Sequence, residues 1–168
     1  QLLQWQKRLR GEPQGQRWLL KAPQHLHTLE ILLSVFPKAQ VILTHREPAQ
    51  TIPSMASMAH TLWQIYSDTP DPLSTGRQWN TRMARGIQHS MQVRDQQDTA
   101  RFLDIHFSDT VEKPMAVLEA VYQFAVLPFT EKARTDAQQW LSSDGREKRA
   151  GHDYSLETLG LSEQQMQA

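Results

Sequence analysis

Cysteine is missing from all 168 residues, which removes disulfides, thiolate catalysis and Cys-ligated zinc from consideration without fixing the compartment. Net charge is missing as well. Eighteen Lys and Arg balance eighteen Asp and Glu, so the chain carries no overall electrostatic footprint for nucleic acid or an anionic membrane, and any anion site is local. No apolar run approaches the ~20 residues that span a bilayer, and no basic, apolar, small-residue order of a secretion signal opens the chain. A soluble, cytoplasmic protein with a small partner is the expectation. His25 and His27 lack a third plausible ligand and no His-Glu-x-x-His pattern exists, so no metal is expected. A Walker lysine motif and a magnesium carboxylate pair are also lacking, which ranks a kinase-like phosphoryl transferase last among the readings.

What is present suits one globular core: 39% hydrophobic and 21% charged residues at a length that serves a single domain over residues 1–168. The chain starts at Gln1 and enters at once a helix-like stretch with Leu2, Leu3, Trp5 and Leu9, which reads as an excerpt. Trp18, Leu19 and Leu20 form a short apolar run expected to be a buried strand ending at Lys21 and Pro23. From Gln24, the apolar positions Leu26, Leu29, Leu32, Leu33 and Phe36 predict a helix that Pro37 ends. Val41-Ile42-Leu43 lacks alternation, as a central parallel strand does. Pro48 then opens a helix toward Tyr66, with a kink expected at Pro53. Ser67 to Gly76 reads as a loop, and Met83, Ile87 and Met91 mark one face of a further helix. Leu103, Ile105 and Phe107 predict a strand, Pro114 a helix, and Thr130 the cap of a last helix closed by Gly145.

Strands separated by helices imply an α/β fold with a parallel sheet, whose ligands bind outside the carboxyl ends of the strands. Two turns lie there, Lys21 to His25 and His45 to Pro48. An arginine delivered by a strand into the start of a helix is a physical anion site, because free N–H groups, the helix dipole and a guanidinium fork converge. Ser54 lies eight residues past Arg46, about two helical turns on, where its hydroxyl can add a further donor. On chemistry alone the commoner outcome is an ordinary ion pair of Arg46 with Glu47 or Glu30, and an ordinary helical Ser54.

Four stretches in order shift that balance. They are Arg17-Trp18-Leu19-Leu20-Lys21-Ala22-Pro23-Gln24-His25-Leu26, then Val35-Phe36-Pro37-Lys38-Ala39 with Thr44-His45-Arg46-Glu47-Pro48, then His106-Phe107-Ser108-Asp109 with Pro114, and Gly151-His152-Asp153-Tyr154 through Leu161. Together they resemble the bacterial-type sulfotransferase family. The resemblance implies a P-loop-NTPase-like parallel sheet flanked by helices, incomplete here at the N-terminus, and 3′-phosphoadenosine 5′-phosphosulfate (PAPS) as donor without a metal. By that resemblance Arg46 and Ser54 bind the donor's 3′-phosphate, and Arg149 and Gly151 belong to a basic segment that either touches the same phosphate or, as is commoner for such a run, is a solvated charged stretch. The resemblance also implies Lys21 as the electrostatic group at the sulfuryl centre and His25 as the base, the alternatives being a solvated charge at a strand end for Lys21 and a capping or packing histidine for His25. The acceptor is a hydroxyl or amine of a small molecule, glycan or lipid.

Departures accompany the resemblance. Phe107 stands where many relatives have tyrosine, Lys113 replaces an acidic residue, and Ala125-Val126 replaces a helix-ending glycine. The family's first strand and phosphosulfate-binding loop have no counterpart before Trp18. The alternative is therefore a non-catalytic nucleotide-binding or interaction module of the same fold. Met55, Met58 and Leu62, with Trp63 and Trp79, either line an acceptor pocket or form a core stripe.

Overall fold

A computed structural model describes residues 17–143 and 155–166. A 3-10 turn at Pro23–His27 leads into helix α1 (Leu29–Val35) and strand β1 (Val41–His45). Helices α2 (Pro48–Tyr66) and α3 (Pro72–Asp95) make the crossover to strand β2 (Phe102–His106). Helices α4 (Phe107–Glu112), α5 (Pro114–Phe124) and α6 (Glu131–Ser142) follow, then a 3-10 turn at Glu157–Leu159 and the short α7 (Glu163–Met166). β1 and β2 are parallel, in a register running from Val41 opposite Phe102 to His45 opposite His106. Parallel neighbours need a long crossover, and here two helices supply it. The parallel α/β arrangement expected from the sequence is the one observed.

The core has two parts. Leu29 and Leu33 of α1 meet Val93 of α3 and Phe102 of β2, which seals one face of the sheet. Ile52 and Ala56 of α2 meet Leu159 and Leu161, with Trp79 and Met83 of α3 against them. Small residues allow this second close approach. A Cβ at Gly76 would lie 2.0 Å from the Leu159 carbonyl oxygen, so a larger residue there must move backbone.

Several elements differ from expectation. Residues 18–20 form no strand, and Leu19 is 90% exposed. A strand exists only where a neighbour completes its hydrogen bonds, and neither β1 nor β2 pairs with this segment. The helix expected from Gln24 is split, because Thr28 leaves helical geometry at φ −137° and ψ 27° between the 3-10 turn and α1. α2, by contrast, has the expected bounds and keeps Pro53 inside it, with the ring fully buried, so packing offsets the hydrogen bond that proline cannot donate. α3 begins at Pro72, inside the expected loop. Asp71 caps it by accepting from the Leu73 and Ser74 N–H groups at 3.1 and 3.0 Å, and Pro72 fills the first helical position. Phe107 does not belong to the strand; β2 stops at His106 and Phe107 starts α4.

The helix ends carry their own chemistry. Thr130 Oγ1 accepts from the Ala133 N–H at 3.2 Å, as its position before α6 predicts; Gly145 lies outside the described residues. After α5 the Val126 N–H reaches the Gln123 carbonyl at 3.0 Å and the Leu127 N–H reaches the Tyr122 carbonyl at 2.9 Å. This is a Schellman motif, and it holds Val126 at φ +52°. A β-branched residue occupies the left-handed position that glycine fills without steric cost.

Candidate anion-binding turn and the groove on helix α3

Arg46 sits between the end of β1 and the start of α2. Its Nε donates to Gln50 Oε1 at 3.0 Å, and its guanidinium carbon lies 4.6 Å from the centre of the Phe107 ring. The first contact is helical, four residues ahead on the same chain; the second crosses from β1 to α4. Together they fix the plane of the guanidinium while leaving its two terminal nitrogens without an ion pair among the described residues. The ordinary alternatives are not realised. Glu30 faces His89 at 3.9 Å, and Glu47 makes no ion pair among the described residues.

Ser54 lies half-buried on α2, and its side chain makes no hydrogen bond among the described residues. Glu47 offers no side-chain cap to α2, so no capping side chain occupies the N–H groups of the first turn. The turn therefore combines a pre-oriented cation, a helix start and a hydroxyl two turns along.

Beside it lies a cation that is fully committed. Arg94 of α3 donates to both oxygens of Asp104 at 2.8 and 2.6 Å, and His45 Nε2 contacts Asp104 Oδ1 at 2.6 Å. The hydrogen bonds from Arg94 hold the Asp104 carboxyl down at about 2 from an ordinary 3.8, against an opposing desolvation. His106 tilts against His45 with ring centres 5.5 Å apart. This cluster braces the carboxyl end of the sheet one residue before Arg46.

Lys21 is exposed and without an ion pair among the described residues. His25 is half-buried on the 3-10 turn, whose Ala22 carbonyl accepts from the His25 N–H at 3.2 Å. No hydrogen bond or ion pair joins either residue to Arg46 among the described residues, so the two sequence-defined turns remain separate groups. Arg149 and Gly151 lie outside the described residues.

A second feature was not legible beforehand. An open groove of about 650 Å³ is lined by His27, Trp63, Arg77, Thr81, Arg82 and Arg85, among others. His27 packs onto α3 because Gly86 leaves room; a Cβ there would come within 2.4 Å of the imidazole. Gln50 and Phe107 were also missed as partners of Arg46. The spacing of four signals Gln50, but nothing local signals Phe107.

With this geometry in view, comparison with known proteins is informative. Residues 3–131 match a family model described as the sulfotransferase family, and the chain belongs to that family. Two solved structures share the arrangement. One is the crystal structure of sulfotransferase STF9 from Mycobacterium avium, 26% identical, covering 89% of this chain and 39% of that one, with a TM-score of 0.76. The other is sulfotransferase STF1 from Mycobacterium tuberculosis H37Rv (type1 form), 27% identical, covering 90% of this chain and 38% of that one, also at 0.76. This chain thus spans less than two fifths of either. A comparison with curated proteins gives no match. Among the described residues no helix is long and apolar enough to cross a membrane, and no group of three metal-ligating side chains occurs.

Proposed function

We propose that this chain contributes the 3′-phosphate half of a PAPS site in an enzyme that transfers a sulfuryl group to a hydroxyl or amine. The observation that carries this reading is the state of Arg46, oriented by Gln50 and Phe107 yet without a carboxylate partner among the described residues. A guanidinium held this way loses little freedom when it grips a phosphate with two parallel hydrogen bonds. Ser54 supplies a further donor from the same helix, and the start of α2 adds favourable dipole. The donor residues fit a phosphate group in number and charge.

When bound, the donor supplies a sulfur whose bond to the 5′-phosphate oxygen breaks, that oxygen keeping the electron pair. With a hydroxyl acceptor, the acceptor oxygen would form the new S–O bond as His25 takes its proton. Lys21 offsets negative charge on the transferring oxygens. Family membership and the likeness to mycobacterial sulfotransferases support the class of reaction.

Calorimetric titration of the full-length protein with adenosine 3′,5′-bisphosphate tests the site. Binding that weakens in both Arg46→Ala and Ser54→Ala supports it, and unchanged affinity in both refutes it. Incubation with PAPS and a panel of hydroxyl acceptors then tests the reaction by the mass gain of one sulfate.

A further inference from the structure

We propose that Gln50 and Phe107 are positioning residues that make this site select a 3′-phosphorylated nucleotide over one with a free 3′-hydroxyl, a reading that rests on the phosphate role of Arg46 given above. Gln50 sets whether the charge of Arg46 stays available. Phe107 sets which way it points.

The strand register brings Phe107 to the arginine. His45 lies opposite His106, so the next residue on each chain, Arg46 and Phe107, leave the sheet side by side. Phe107 is then the first residue of α4, which holds its backbone in place. The Arg46 guanidinium carbon lies over the Phe107 ring at 4.6 Å from its centre, closer than Arg94 lies to Phe102 at 5.3 Å. A guanidinium binds anions along its edge, so a ring against its face orients it without competing for the anion.

Gln50 fixes the remaining direction. It stands in the first turn of α2, four residues after Arg46, and its Oε1 accepts from Arg46 Nε at 3.0 Å. That bond uses Nε and leaves the two terminal nitrogens, the pair that can grip two oxygens of one phosphate. The acceptor is a neutral amide, which orients without neutralising. At the same spacing on α6, Lys132 and Asp136 form an ion pair at 2.6 Å, so a glutamate at position 50 has the reach to pair with Arg46. Arg94, bonded to both oxygens of Asp104, shows the outcome of that choice.

Selection follows from what each nucleotide offers the turn. A nucleotide with and one without the 3′-phosphate share the base, the sugar and the 5′ group, and only the former meets Arg46. Disordering or neutralising Arg46 therefore lowers affinity for the 3′-phosphorylated form and leaves the other where it was. A residue that merely supports the fold affects both forms alike.

Calorimetric titration of the full-length protein with adenosine 3′,5′-bisphosphate and with adenosine 5′-monophosphate measures the preference as a ratio of affinities. Phe107→Leu is expected to shrink the ratio about two- to fivefold, the worth of an exposed cation–π contact, while Phe107→Tyr keeps it. Gln50→Leu shrinks it about two- to tenfold by removing one hydrogen bond. Gln50→Glu shrinks it about tenfold or more, and that loss diminishes with added salt, whereas the loss in Gln50→Leu does not. In an Arg46→Ala background none of these substitutions alters the ratio, because each acts through Arg46. Gln50 and Phe107 are exposed, so thermal midpoints stay near that of the unaltered protein. Should Phe107→Leu melt early, the two Gln50 variants carry the test. Equal losses for both nucleotides overturn the proposal, as do effects that persist without Arg46. So does an unchanged ratio in Gln50→Glu and Phe107→Leu while Arg46→Ala abolishes it. An unchanged ratio in Arg46→Ala defeats the phosphate reading, and this inference with it.

Discussion

Arg46 follows the last residue of β1, Arg94 lies in the last turn of the helix that leads into β2, and the two arginines have opposite fates. Arg94 gives a two-point hydrogen bond to Asp104 and lies 5.3 Å from the Phe102 ring, so its charge is spent on the fold. Arg46 has an equivalent aromatic neighbour in Phe107 but a neutral amide, Gln50, where Arg94 has a carboxylate. An aromatic face and a hydrogen bond orient both side chains; only the carboxylate neutralises one. The contrast teaches that a binding arginine is recognised by the charge its fixed partners leave uncompensated.

Exchanging the two roles by mutation tests that contrast. Arg46→Ala is expected to weaken adenosine 3′,5′-bisphosphate binding by about 30-fold or more, because charged hydrogen bonds contribute about 1.5–3 kcal/mol and each 1.4 kcal/mol is about tenfold. Its unfolding free energy should move by no more than about 0.5 kcal/mol, as for other exposed positions. Arg94→Ala should do the reverse in the same two assays, leaving bisphosphate affinity within about twofold while lowering stability in urea by about 1–2 kcal/mol, a figure reduced by partial exposure.

The carboxylate gives a smaller effect with a definite pH signature. Because the folded-state pKa of Asp104 is depressed to about 2, its contribution to stability is complete above the ordinary 3.8 and is lost as pH falls from there toward 2. Asp104→Asn should therefore lower stability by on the order of 1 kcal/mol at neutral pH, with the difference from wild type closing between about pH 4 and pH 2. A gap of constant size across that window, measured by urea midpoints, would break the assignment of the ion pair.

The smallest effect lies away from both arginines. Val126→Gly should raise stability by about 0.5–1 kcal/mol, since relief of a left-handed β-branched residue, about 1–2 kcal/mol, exceeds the entropic cost of glycine, about 0.5–1 kcal/mol. Val126 is 78% exposed, so little packing is lost. Thermal unfolding measures it, and bisphosphate binding should not change.

Much of the frame was readable because its signals are local. Val41 to Leu43 is a strand, Pro48 and Pro114 open helices, and Thr130 caps one, each through chemistry within a few residues. The glycine expected after α5 and replaced by Val126 marks the strained residue directly. The failures share a cause as well. Asp71-Pro72 looks like loop punctuation until the Asp71 carboxylate is seen to bind two helical N–H groups. Residues 18–20 have the composition of a strand, but pairing depends on neighbours that composition does not name. The groove depends on Trp63 from α2, His27 from the 3-10 turn and three arginines of α3 meeting in space.

By itself, the sequence determined the parallel α/β class, the turn that brings Arg46 to the head of a helix with Ser54 eight residues on, and the resemblance that led to the sulfotransferase family. Only the tertiary structure decided which arginines are neutralised. Asp104 is 10 residues from Arg94 and 59 from His45, and Phe107 reaches Arg46 from the first turn of α4. Backbone geometry is set over a few residues, whereas the potential at a guanidinium depends on every charge within several ångströms, whatever its place in the chain.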